Sequence, residues 1–185
     1  MEALFVSTLA VAVAEIGDKT QLLALVLAAR YRRFWAVSAG ILVATLLNHA
    51  AAAWVGAWLA SWLSPEAQRW SIALSFLAVA AWALVPDRLD QDEMPRPSAA
   101  GAFLATGIAF FLVEIGDKTQ VATVVLAATY DSLPAVVAGT TLGMLIANVP
   151  VVALGGQFAG RLPLRWFRYG AAALFALLAI ATLVL

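Results

Sequence analysis

Apolar residues fall into six blocks, near 3–29, 35–60, 68–86, 100–129, 133–157 and 166–185. Each has about the 20 residues needed to cross a hydrocarbon core as a helix. Their sequence predicts an all-α integral membrane protein with six transmembrane helices. One long polar stretch interrupts the pattern, PDRLDQDEMPRPSA from Pro86 to Ala99, and its prolines and acids mark a linker. The chain therefore divides into residues 1–86, an acidic linker at 87–99, and residues 100–185. The opening run MEALFVSTLAVAVAEIG has no basic segment ahead of its apolar core, so it is expected to stay as the first span rather than be cleaved.

The two halves repeat one another. At an offset of 99 positions, Glu15 to Glu114, the hexapeptide EIGDKT recurs, and Gln21 falls on Gln120, Tyr31 on Tyr130, Gly40 on Gly139, Gly56 on Gly155, Arg69 on Arg168 and Phe76 on Phe175. Three spans per repeat is an odd number, so the halves are expected to be inverted relative to each other, as in many secondary transporters. In that arrangement Arg30, Arg32, Arg33, Arg88, Arg96, Arg161, Arg165 and Arg168 share one side of the membrane, and outside the motifs only Arg69 lies opposite. An excess of Arg and Lys marks cytoplasmic loops, which predicts a cytoplasmic linker and both termini outside. Trp35, Trp62, Trp70, Trp82 and Trp166 stand near span ends, and Trp54, Trp58 and Trp62 form a helical stripe read as lipid-facing or packing surface.

Composition narrows the function. Hydrophobic residues make up 64% of the chain and charged residues 12%, the formal net charge is zero, and there is no cysteine. No basic stripe exists for nucleic acid, and a thiolate metal site or disulfide framework is excluded. The charges that remain inside the apolar blocks are therefore informative. Two carboxylates and one ammonium in each EIGDKT would cost roughly 2.5–3.5 kcal/mol apiece at the bilayer centre if unpaired. Glu15, Asp18 and Lys19 share one arc of a helix, and Glu114, Asp117 and Lys118 do the same.

Carboxylates together with the neutral oxygens of Thr20, Gln21, Thr119 and Gln120 form a hard ligand set for Mg²⁺, Ca²⁺ or Mn²⁺. Gly17 and Gly116 are the expected helix breaks, where backbone carbonyls become available. Lys19 and Lys118 balance charge, each Asp pairing with a Lys. Two Glu, two Asp and two Lys leave a net −2, which one divalent cation or two protons neutralise. That stoichiometry describes an exchanger in which Glu15 and Glu114 alternately hold a metal ion or protons. Asn48, His49 and Asn148 are polar groups within spans two and five that complete the coordination shell or simply bond neighbouring helices. Two other functions fit the same residues: an amino-acid or anion exporter using Lys19 and Lys118 as ligands, and an intramembrane aspartyl hydrolase using Asp18 and Asp117. Structural ion pairing between the halves is the plain alternative.

With EIGDKTQ in both halves, three spans each and a central acidic linker, the chain resembles the Gdt-type calcium/manganese:proton exchanger family across essentially its whole length. The family signature E-x-G-D-(K/R)-(T/S) is met at Glu15, Gly17, Asp18, Lys19 and Thr20, and again at Glu114, Gly116, Asp117, Lys118 and Thr119. The resemblance implies exchange of Mn²⁺ or Ca²⁺ for protons with no cofactor and no enzymatic activity. It further implies a bacterial inner-membrane location and a role in Mn²⁺ export.

Overall fold

A computed structural model describes residues 1–86, 101–154 and 164–184. The linker at 87–99, with Asp87, Arg88, Asp90, Asp92, Glu93 and Arg96, lies outside the described residues, as do Gly155 and Arg161. Among the described residues the regular structure is helical throughout. Helices α1 (Glu2–Glu15), α2 (Lys19–Tyr31), α3 (Phe34–Ala60) and α4 (Pro65–Ala83) form the first half. Helices α5 (Gly101–Glu114), α6 (Lys118–Thr129), α7 (Leu133–Leu154) and α8 (Leu164–Val184) form the second. Every helix start in the first half recurs 99 positions later, so the duplication read in the sequence is also a duplication of elements.

Two apolar blocks differ from continuous spans. The blocks at 3–29 and 100–129 are each two helices with a break at the charged motif. At about 1.5 Å per residue, α1 is roughly 21 Å long and α2 roughly 20 Å, too short for either to cross a 30 Å core alone. Among the described residues, three helices are long and apolar enough to cross by themselves, Phe34–Ala60, Leu133–Leu154 and Arg165–Val184, while Gly101–Glu114 is apolar but short.

The two halves are interleaved. α1 packs on α7 and α5 on α3, α2 packs on α7 and α6 on α3, and α4 packs on α8. Small residues allow the closest of these approaches. A Cβ at Gly139 would lie 2.5 Å from the Leu4 carbonyl oxygen and 2.8 Å from Ser7 Cβ. One at Gly40 would lie 2.8 Å from the equivalent groups of Phe103 and Thr106. Phe76 and Phe175, the same position in the two repeats, stack with ring centroids 6.2 Å apart. A residue that touches its own counterpart lies near the axis relating the two copies.

The distribution of polarity is inverted relative to a water-soluble bundle. Trp35, Leu47, Trp54, Leu74, Ile108, Leu112, Ile146, Leu177 and Ile180 are exposed, whereas Glu15, Asp18, His49, Glu114, Asp117, Lys118 and Asn148 are buried. Apolar side chains outward and charges inward is the arrangement a hydrocarbon solvent selects. All three tryptophans of the stripe on α3, Trp54, Trp58 and Trp62, are exposed.

Candidate metal centre at the two helix breaks

The break is built from the motif itself. After α1 ends, Ile16 has φ −66° and ψ 112° and Gly17 has φ 88°, while the Asp18 N–H donates to the Glu15 carbonyl oxygen at 3.1 Å. These are the angles and the hydrogen bond of a type II turn, whose third residue needs positive φ and hence glycine. In the second copy Gly116 has φ 78° and the Asp117 N–H donates to the Glu114 carbonyl at 3.1 Å. Nothing lies within 4 Å of where a Gly116 Cβ would be, so backbone conformation rather than space demands glycine there. Asp18 and Asp117 then stand at the N-caps of α2 and α6.

Both glutamines brace this turn. Gln21 Oε1 accepts from the Gly17 N–H at 3.1 Å, and Gln120 Oε1 accepts from the Gly116 N–H at 2.8 Å. Gln21 Nε2 also donates to the Ala147 carbonyl on α7 at 3.0 Å. The sequence reading placed these amides among the ligand oxygens, and in the structure they hold the break in shape. The spacing D-x-x-Q at Asp18–Gln21 and Asp117–Gln120 was the available signal, since it is that of a capping box.

The threonines orient the glutamates. Thr20 Oγ1 donates to Glu15 Oε2 at 2.5 Å and Thr119 Oγ1 donates to Glu114 Oε1 at 2.5 Å. The other oxygens, Glu15 Oε1 and Glu114 Oε2, are buried without a hydrogen-bond partner among the described residues. Asp117 joins them, with a long 3.4 Å contact from Thr119 Oγ1. Glu15, Glu114 and Asp117 each bring an oxygen within 4.8 Å of the others, all three residues buried. With every carboxylate ionised, each such pair repels by at least about 3.5 kcal/mol at an effective dielectric of 20. Positive charge at this point, as metal or as protons, removes that repulsion.

Asp18 takes a different role from its counterpart. Its Oδ1 accepts from the Lys19 N–H at 2.6 Å and its Oδ2 is 2.8 Å from Lys118 Nζ. This ion pair crosses between the repeats, from the first motif to the second, so the lysine that Asp18 pairs with is Lys118. A cavity of about 100 Å³ lies beside the pair and is lined in part by Gly17, Asp18, Pro86, Lys118 and Arg168. Beyond the motifs, Asn48 Nδ2 donates to the Phe111 carbonyl at 3.0 Å, and Asn148 Nδ2 donates to the Met144 carbonyl at 3.1 Å. His49 is buried with Nε2 3.8 Å from Glu114 Oε1, beyond hydrogen-bond range.

An interior of opposed helix breaks, carrying carboxylates with unpartnered oxygens inside an apolar exterior, has the form of an integral membrane cation transporter. Comparison with known proteins agrees. The sequence pattern of the family described as divalent cation/proton antiporter GDT1 matches residues 3–91 and 102–185. The chain belongs to this family, and is therefore a transporter rather than an enzyme. It is 53% identical over 183 residues, 98% of this chain and 90% of the relative, to a protein of Vibrio cholerae serotype O1 named "Putative manganese exporter". No solved structure matches.

Proposed function

We propose that the protein exports Mn²⁺ from the cytoplasm in exchange for protons, binding the ion between Glu15, Glu114 and Asp117, with Ca²⁺ as the other candidate ion. The buried three-carboxylate cluster with unpartnered oxygens carries this reading. Glu15 offers Oε1 and Glu114 offers Oε2, with the second lone pair of Glu114 Oε1 also open beside its Thr119 contact. Carboxylates that bind a divalent ion also bind protons, and the two compete for the same oxygens. A motif net charge of −2 supports one divalent ion or two protons per cycle. The family's antiport and the relative's name support manganese as cargo.

The matching helix starts, the Phe76–Phe175 stack and the reciprocal packing of α1 on α7 and α5 on α3 support two inverted repeats of three spans each. In that arrangement each broken span joins α1 to α2 or α5 to α6. The arginine distribution supports a bacterial inner-membrane topology with a cytoplasmic linker and outside termini. Pro86 and Arg168 would then place the cavity beside Asp18 and Lys118 on the cytoplasmic side, where an exported ion enters. The commitment of Lys118 to Asp18 speaks against an anion exporter that uses this lysine as a ligand.

The test is proton movement in liposomes that carry purified protein and an internal pH dye. Adding Mn²⁺, Ca²⁺ or Mg²⁺ outside should shift the internal pH in wild type and not in Glu15→Gln. No shift with any divalent ion, in folded protein, rejects exchange.

A further inference from the structure

The duplicated halves differ at two adjacent buried positions beside the cluster, Asn48 against Ala147 and His49 against Asn148, and the second carries the chemistry. His49 on α3 corresponds to Asn148 on α7 at the repeat offset of 99. Asn148 uses its amide nitrogen on its own helix, donating to the Met144 carbonyl at 3.1 Å and lying 2.9 Å from Met144 Sδ. His49 does nothing comparable. Its side chain is fully buried, and neither Nδ1 nor Nε2 has a hydrogen-bond partner among the described residues. Neutral imidazole carries one donor and one acceptor, so a buried ring with both nitrogens idle is rare in a packed interior. The neighbouring Asn48 turns its amide to the Phe111 carbonyl, one turn before Glu114, which seats this part of α3 against the second motif.

The ring approaches Glu114, one of the three carboxylates of the cluster. Nε2 stands 3.8 Å from Glu114 Oε1. Two donor atoms each about 2.2 Å from one ion lie about 3.1 Å apart at a 90° angle and about 3.8 Å apart at 120°. The observed separation is thus too long for a hydrogen bond and matches two ligands of one cation at an angle near 120°.

We infer that His49 is a nitrogen ligand to the transported cation and sets the site's preference for first-row transition ions over Ca²⁺ and Mg²⁺. The inference rests on the exchange reading above and adds the source of its ion selectivity. Ca²⁺ takes six to eight oxygens and Mg²⁺ an octahedron of oxygens, so imidazole contributes little to either. Imidazole nitrogen favours transition ions, with affinity rising from Mn²⁺ through Co²⁺. A site of three carboxylates alone would be a general divalent site, and one nitrogen makes it discriminate. Co²⁺ should accordingly compete with Mn²⁺ more strongly than Ca²⁺ does.

Two measurements test this. The first is electron spin-echo modulation of Mn²⁺ bound to the purified full-length protein. Modulation from a directly bound ¹⁴N is expected in wild type and lost in His49→Gln; bound Mn²⁺ without nitrogen modulation in wild type overturns the assignment. The second is liposome exchange with Mn²⁺, Co²⁺ and Ca²⁺ in His49→Asn, which gives this position the residue of the other repeat, and in His49→Gln. A rise of about tenfold or more in the Mn²⁺ and Co²⁺ KM is expected, with the Ca²⁺ KM within twofold of wild type. Equal changes for all three ions would mean a packing role and overturn it. Because wild type alone reports on exchange, a wild type that exchanges Mn²⁺ yet shows no nitrogen modulation defeats the ligand assignment and leaves the exchange reading standing.

Discussion

The ion pair between Asp18 and Lys118 offers a quantitative test of how the two repeats are held together. Both residues are buried, and the 2.8 Å contact between Oδ2 and Nζ is worth about 6 kcal/mol of direct attraction at an effective dielectric of 20. Most of that offsets the desolvation of the two charges, so the intact pair contributes little net stability. Removing one partner is different, because the other charge stays buried without it, at a cost of about 3–5 kcal/mol. For a chain of this size each kcal/mol shifts Tm by about 2–4 °C. Asp18→Asn and Lys118→Met should therefore each lower the melting temperature in detergent by about 6–20 °C. The double variant Asp18→Asn/Lys118→Met removes both charges and should recover more than half of the larger single loss. Melting followed by the fluorescence of the seven tryptophans gives all four corners of the cycle. A double variant as unstable as the two single losses added together would refute an energetic coupling of these residues, and with it the cross-repeat clamp.

Further outcomes follow from the same geometry. Glu15→Gln and Glu114→Gln should each abolish ion-dependent proton movement with Tm within a few degrees of wild type, since glutamine keeps the Thr hydroxyl contact as an acceptor; activity retained in both would refute the paired-glutamate site. Thr119→Val leaves the Glu114 carboxylate without its 2.5 Å donor, and should raise the Mn²⁺ KM severalfold while exchange persists, as read by initial rates in liposomes. Gly116→Ala meets no neighbouring atom yet must take φ 78°, so it should cost about 1–2 kcal/mol, a Tm loss of a few degrees. Gly139→Ala has ordinary helical backbone but places a methyl 2.5 Å from the Leu4 carbonyl, so it should be the more damaging of the two glycine variants. The reverse order in Tm would contradict the close approach of α1 and α7.

The sequence by itself determined much of this protein, because its strongest features are local or repetitive. Apolar blocks of bilayer length, one acidic linker and an exact recurrence of EIGDKT at offset 99 need no tertiary information to be read. Glycine inside each charged motif was already a helix breaker on its own conformational grounds. Tertiary structure alone decided which groups meet. Asp18 and Asp117 occupy identical local sequence, yet one is paired with Lys118 across the repeats and the other joins Glu15 and Glu114. Local sequence cannot distinguish them, since the difference arises from which side chains of the opposite repeat are packed against each. Gln21 and Gln120 offer ligand oxygens by their chemistry, and only the structure shows that each Oε1 also accepts from the glycine N–H of the turn it braces. His49 shows the same limit from the other side. Its type was visible in the chain, but its burial, its idle ring nitrogens and its 3.8 Å approach to Glu114 exist only because α3 packs on α5. A repeated motif specifies its own backbone through short-range torsions and capping, whereas the pairing of charges in a hydrocarbon solvent is a long-range choice settled by how the two copies interlock.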